Sequence, residues 1–178
     1  MNDKIPGSLK NQGGVQFNET ADLTYYIVEG VLTGVVNGKG IHMIALSGGG
    51  GGSTKNPASG GIPGRSAVVM NNPYMEGLKT VGSGKTHVHG GPIPPGSYSI
   101  ETPEKHGHLG LSARLDSLNG NKPMGRDGFY IHGRGPHGSD GCIVPVDAHQ
   151  FNQLMKDLET TEGGRLVVVE AMDGSRYA

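Results

Sequence analysis

The chemically reactive residues of this chain are few: one cysteine, Cys142, and eight histidines. His132 stands ten positions before the cysteine in the stretch GFYIHGRGPHGSDGCIVPVD, residues 128–147. An apolar run ending in His132-Gly133 enters a turn-rich stretch, Arg134 to Gly141, and Cys142 follows. A residue at a strand end is fixed in place while the loop beyond is free to fold back. This spacing can therefore set His132 and Cys142 side by side. A free thiol with a pKa near ~8.5 is only a few per cent thiolate at neutral pH, and an adjacent imidazole raises that fraction through an ion pair. Attack on an amide then generates an oxyanion, which wants two backbone N–H donors. Gly141 lets the backbone approach closely, so the N–H groups of Gly141 and Cys142 are the natural candidates. Arg134 and Arg126 are candidates for holding a substrate carboxylate, because a guanidinium matches that group bidentately.

Other chemistry has to be weighed against this. A single cysteine can be a small buried hydrophobe, and His132 can be a hydrogen-bonded structural residue. His132, His137 and Cys142, or His87 with His89, or His106 with His108, could be metal ligands. Tight zinc spacings such as H-E-x-x-H or C-x-x-C are absent, however, so neither a metal nor another cofactor is expected. The glycine run at 48–52 is not followed by Gly-Lys-Ser/Thr or by a helix pattern, which argues against a phosphate loop.

The elements that must position these residues read as short strands. LTYYIVE (23–29), VLTGVV (31–36), IHMIAL (41–46), SAVVM (66–70), SYSIE (97–101), LGLSARL (109–115) and GFYIHG (128–133) are β-branched or aromatic runs. Asn37-Gly38 between two of them is a hairpin signal, because both turn positions need positive φ. One helix is predicted near 147–160. Asp147 and Gln150 form an N-cap and capping-box pair, and Phe151, Leu154, Met155 and Leu158 fall at i, i+3, i+4, i+7. Gly163 and Gly164 stop it, and RLVVVE (165–170) is apolar enough for a central strand. Residues 1–20 read as a polar N-terminal arm and 47–65 as a Gly/Ser/Pro-rich surface loop. The expectation is a single catalytic domain over 1–178, mostly β with one packed helix.

The 178 residues carry 33 glycines, against a background of roughly 7%, in keeping with many tight turns between short strands. With 15 basic and 16 acidic residues and no basic block, nucleic acid is not an expected partner. No apolar run approaches the ~18–20 residues of a membrane span, and the first twenty residues lack the apolar core of a secretory signal.

Taken together, several motifs resemble the L,D-transpeptidase superfamily. They are Ile131-His132-Gly133, then Ser139-Asp140-Gly141-Cys142-Ile143, then the helix from Asp147. Upstream, Gly90-Gly91-Pro92-Ile93-Pro94-Pro95-Gly96-Ser97-Tyr98-Ser99-Ile100 is similar to a segment of relatives, as is Gly125-Arg126 before the strand. The short His-to-Cys loop resembles in particular the L,D-transpeptidase-like effectors of type VI secretion systems. The resemblance implies a β-sandwich-like fold and a catalytic set of Cys142, His132, Gly133, Gly141 and Ser139, with the Gly133 carbonyl orienting the imidazole. It implies acyl transfer at the meso-diaminopimelate–D-Ala bond of peptidoglycan tetrapeptide stems, as carboxypeptidase, exchange or crosslinking. It also implies a protein made in the cytoplasm and secreted, action in a target periplasm as an antibacterial toxin, and a cognate immunity protein. A zinc-dependent peptidase and a non-catalytic wall-binding module are the rival readings. Relatives carry His where this chain has Asp140, whose charge would raise the thiol pKa if it faced the sulfur. Asp140 is therefore expected to face solvent or a loop amide.

Overall fold

A computed structural model describes residues 21–49, 70–79, 90–120, 122–133 and 139–172. Within these, the chain forms nine strands and one α-helix. The strands are β1 (Ala21–Tyr26), β2 (Val31–Val36), β3 (Lys39–Ser47), β4 (Gly96–Ile100), β5 (Glu104–His106), β6 (Gly110–Ser117), β7 (Phe129–His132), β8 (Ile143–Pro145) and β9 (Gly164–Val169); the helix α1 (Ala148–Thr160) lies between the last two. The strand order is β4-β9-β1-β2-β3-β8-β7-β6-β5, and a further β4–β6 pairing closes eight of the strands into a ring. β1–β9 and β7–β8 are parallel and the other pairs antiparallel. The architecture is mostly β with one helix, and the closed sheet is compatible with the sandwich-like description.

Local chemistry explains the better-defined parts. Asn37 and Gly38 take φ of 51° and 71°, and Val36 pairs with Lys39, so this is the two-residue hairpin with both turn positions left-handed. β1 alternates buried with more exposed residues, and Leu23 and Tyr25 are fully buried. β9 pairs with β1 on one edge and β4 on the other, which makes it the central strand its composition suggested. The Asp147 carboxylate accepts the Gln150 N–H at 2.8 Å and caps α1. Phe151, Leu154, Met155 and Leu158 are buried in the main core, each contributing roughly 1.5–3 kcal/mol of apolar burial. Gly163 (φ 88°) ends the turn and donates to Leu158 O at 2.8 Å. A Cβ at Gly163 would lie 2.1 Å from Ile100 O, so the reversal needs glycine.

Some boundaries differ from the sequence pattern. β3 runs through Ser47, so the following loop begins later than composition suggested. Most of that loop, residues 66–69 of the SAVVM run, and the arm at 1–20 lie outside the described residues, while Met70 is in a turn. β5 and β8 were not legible as strands; each is three residues long and forms only because a neighbour offers a free edge.

Candidate active site

The adjacent strands β7 and β8 carry the two candidate residues, His132 at the end of β7 and Cys142 just before β8. Ile131 and Ile143 are register partners in this parallel pair, and both point into the main core. Because strand side chains alternate, their neighbours His132 and Cys142 fall on the opposite face. Both are nearly closed to solvent, His132 at 3% and Cys142 at 8% exposure. His132 Nδ1 lies 2.6 Å from the Gly133 carbonyl. A carbonyl only accepts, so Nδ1 carries the hydrogen, and Nε2 is the basic nitrogen of the neutral ring. Gly133 thus fixes the ring's tautomer through its carbonyl. Its missing side chain also leaves room for Phe151 of α1, whose ring would sit 3.3 Å from a Cβ.

The charge states differ from the expected ion pair. Burial pushes the Cys142 thiol up to about 12, outweighing a backbone hydrogen bond from Tyr130; Asp140 adds to the rise and Arg126 opposes it. Burial likewise holds His132 below its ordinary 6.5, opposed by the Gly133 hydrogen bond and helped by His108. Among the described contacts, Sγ meets the Gly128 carbonyl at 4.0 Å and no hydrogen bond links it to His132. Each group is therefore neutral at rest, the thiol protonated and the imidazole uncharged. The reason is desolvation, which disfavours both charged forms in a closed site.

The loop carrying Cys142 is held by polar groups that reach it from distant segments. Ser139 is buried, donates to Cys142 O at 2.8 Å, and accepts from Gly48 N at 3.1 Å and Gly141 N at 3.2 Å. Its hydroxyl is committed to backbone, so Ser139 braces the nucleophile loop. The Gly141 N–H, expected to serve an oxyanion, is engaged by that same hydroxyl. What requires glycine at 141 is space: φ is +111°, and a Cβ would lie 2.5 Å from Arg126 Nη2 and 2.7 Å from the Phe129 ring. Ser47, fully buried, donates to Gly141 O at 3.0 Å and accepts from Ile93 N at 2.9 Å. The Asp140 carboxylate accepts the Gly90 N–H at 3.2 Å, a loop amide, yet its charge still adds to the rise of the thiol.

Arg126 requires a correction. It is buried, and its guanidinium donates to Pro92 O and Gly91 O at 2.7 Å each, to Asp140 O at 2.9 Å, and to Glu76 O. It also lies over the Phe129 ring at 5.2 Å. A cation spent on four carbonyls cannot also clasp a substrate carboxylate, so Arg126 is an internal clamp. Arg134, His137, His87 and His89 lie outside the described residues. Among the described residues no three His, Cys, Asp or Glu converge as a metal site would require, and no helix is long and apolar enough to cross a membrane.

Two further groups escaped the sequence reading. Glu76 is buried beside Arg126 with Oε1 lacking a partner among the described residues. Burial raises its carboxyl to about 7, Glu170 adds to the rise, and Arg126 opposes it. Ser112 is the register partner of His132, fully buried, with Oγ 2.9 Å from His106 Nδ1; His106 Nε2 in turn meets Glu104 at 3.2 Å. His106 and His108 were noted only as a possible ligand pair; nothing local to Ser112 could have marked it.

The fold and this constellation are those of a β-rich cysteine–histidine site. Residues 82–171 match the family model of the Tlde1 domain, and the chain belongs to that family, the L,D-transpeptidase effectors of type VI secretion. No curated protein matches the chain. Among solved structures it is similar to an L,D-transpeptidase from Xylanimonas cellulosilytica, at 15% identity and a TM-score of 0.45, covering 84% of this chain and 60% of that one. It is also similar to the L,D-transpeptidase from Mycobacterium smegmatis, at 14% identity and a TM-score of 0.43, covering 83% of this chain and 58% of that one. The chain thus spans about three fifths of the length of each.

Proposed function

We propose that this chain is a cysteine acyl-transfer enzyme acting on peptidoglycan stem peptides. The observation that supports the reading is the pairing of β7 with β8, whose adjoining ends carry buried His132 and Cys142, with the Gly133 carbonyl leaving Nε2 as the basic nitrogen. As Sγ attacks the carbonyl of the diaminopimelate–D-Ala bond, His132 takes the thiol proton. Deprotonation is coupled to attack because neither group is charged at rest. The C–N bond breaks, His132 returns the proton to the leaving D-Ala amine, and a thioester remains on Cys142. Water, a D-amino acid or a second stem then attacks the thioester, giving carboxypeptidase, exchange or crosslinking outcomes. The Cys142 N–H is the natural oxyanion donor, since Ser139 holds that of Gly141.

Membership of a type VI effector family supports the biological setting. The protein acts in the periplasm of a target bacterium as an antibacterial toxin, and an immunity protein covers the Cys142 cleft in the producer. The test is mass spectrometry of muropeptides incubated with wild type, Cys142→Ala and His132→Ala. Loss of tetrapeptide stems with wild type alone supports the reading; equal processing by Cys142→Ala overturns it.

A further inference from the structure

A cavity of about 180 Å³ lies between β3 and the first turns of α1, and it shares no residue with the Cys142–His132 site. Residues 40–43 line it on the strand side, and His149, Gln150, Gln153 and Leu154 on the helix side. What the strand offers there follows from its hydrogen bonds. A residue in an antiparallel strand sends its N–H and C=O to one edge, and successive residues alternate edges. Ala45 donates toward β2, to Gly30 O at 2.8 Å, whereas Ile44 O accepts the Val146 N–H at 3.0 Å from the β8 side. Met43 and Ile41 therefore turn their backbone groups to β2, and His42 and Gly40 turn theirs to the β8 side. β8 ends at Pro145, and the chain leaves its line at Asp147 to begin α1. The outward N–H and C=O groups of Gly40 and His42 thus meet no strand among the described residues, and both residues are exposed.

We propose that this open edge of β3 is a docking site for an extended segment of a partner protein. The segment adds to β3 as a strand in line with β8 and lays one apolar side chain between strand and helix. The backbone defines the occupant. Donors and acceptors that repeat every second residue along an edge are matched by another strand, and main-chain pairing of this kind is a recurrent mode of peptide capture. An unpaired edge also invites such pairing unless it is guarded. Here the guard is α1, which stands off from the edge by the width of the cavity. The floor is apolar: Met43 and Leu154 are buried and Ile41 packs partly buried against the same core. The volume equals that of about six waters, room for one aliphatic side chain. Charge narrows the choice further. The lining holds imidazoles and amides but no Asp, Glu, Lys or Arg, and the nearby Lys39 is already paired with Asp157 at 2.7 Å. A charged residue entering here would lose its water and find no countercharge, so the docked stretch is uncharged.

The test is a titration of the full chain with the peptide Ser-Thr-Val-Thr-Ser, acetylated and amidated at its ends, followed by amide chemical shifts and hydrogen exchange. Saturable shifts should centre on Gly40 and His42, and their amide exchange should slow about tenfold at saturation while that of Ile41 and Met43 stays unchanged. Replacing the central valine by glutamate should weaken binding about tenfold. His42→Pro removes the outward N–H without touching the β2–β3 ladder, as proline on a strand edge can. It should weaken binding about tenfold or more and leave muropeptide turnover at the wild-type level. Should that variant fail to fold, N-methylated peptides keep the test on the wild-type chain. Methylating the valine amide or the two threonine amides should give affinities at least about tenfold apart, because only one set faces β3. The proposal is overturned if no saturable shift reaches Gly40 and His42 by about 5 mM peptide, if both methylated peptides bind alike, or if folded His42→Pro binds as well as wild type. Gly40 and His42 amides that already exchange slowly in the free chain would also overturn it, since a second copy or a segment of the same chain would then fill the edge.

Discussion

The hairpin–helix side of the molecule and the nucleophile end are held together by different means. On the first, the β2–β3 tip meets α1 through one buried carboxylate, Asp157, which takes Lys39 at 2.7 Å with Asn37 and Gln153 alongside. The helix is seated in the core there by Phe151, Leu154, Met155 and Leu158. At the nucleophile end, Arg126, Ser139 and Ser47 bind backbone atoms of four separate segments. The first region tolerates loss of a polar group because the core remains. The second has no such reserve, since each removed donor strands a buried carbonyl.

The largest expected effect is on chemistry at the nucleophile end. Cys142→Ser should lower muropeptide turnover by at least about a thousandfold with an unchanged circular dichroism spectrum, because serine's hydroxyl is far harder to deprotonate. Retained turnover would remove Cys142 from the mechanism. Wild-type kcat/KM should stay level down to about pH 6.5 and fall only below it, since His132 must be neutral and burial holds it under that value. An acid limb above 6.5 would contradict the neutral resting pair.

Arg126→Met should come next, costing about 3 kcal/mol or more in urea unfolding, because several buried carbonyls lose their donor at once. Arg126→Lys should rescue little, since an ammonium cannot span the same acceptors. If Arg126→Met proved as mild as a change at the hairpin, the contrast between the two regions would collapse.

On the hairpin–helix side, Asp157→Asn should cost only about 1 kcal/mol at pH 7. Burial works against the Asp157 charge, yet the hydrogen bonds from Lys39, Gln153 and Asn37 prevail and hold its carboxyl below the ordinary 3.8. Its stabilisation is present above the unfolded value and lost as pH falls through the folded one. Asp157→Asn should therefore flatten the acid end of a stability–pH curve below about pH 4. A steeper acid end would show that the carboxylate is not the group responsible.

A pH dependence of the opposite sign is expected at Glu76. Its carboxyl is raised from 4.5 to about 7, so the folded state holds a proton that the unfolded chain has released. Stability should decline as pH rises between those two values and then level off. Glu76→Gln should abolish the decline and raise the melting temperature at pH 8. A pH-independent wild type would rule out a protonated Glu76.

The sequence by itself determined the features whose causes are local. Asn37-Gly38 demanded a left-handed turn, Asp147 and its apolar periodicity demanded a capped amphipathic helix, and RLVVVE was apolar enough for a central strand. The proposed pair was read from the same kind of signal: His132 and Cys142 are ten positions apart, with a strand on one side and a turn on the other. Tertiary structure decided what those residues touch. Arg126 reads locally as a spare cation, yet three of its acceptors lie 34, 35 and 50 positions away. Ser47 reads as the first residue of a loop, yet it holds Gly141, 94 positions on. The thiol itself reads as an activated nucleophile, and enclosure by these segments instead holds it protonated at rest. Hydrogen-bond partners that far apart leave no periodicity in the chain, and desolvation belongs to the assembled site, so neither could be read before the strands were placed.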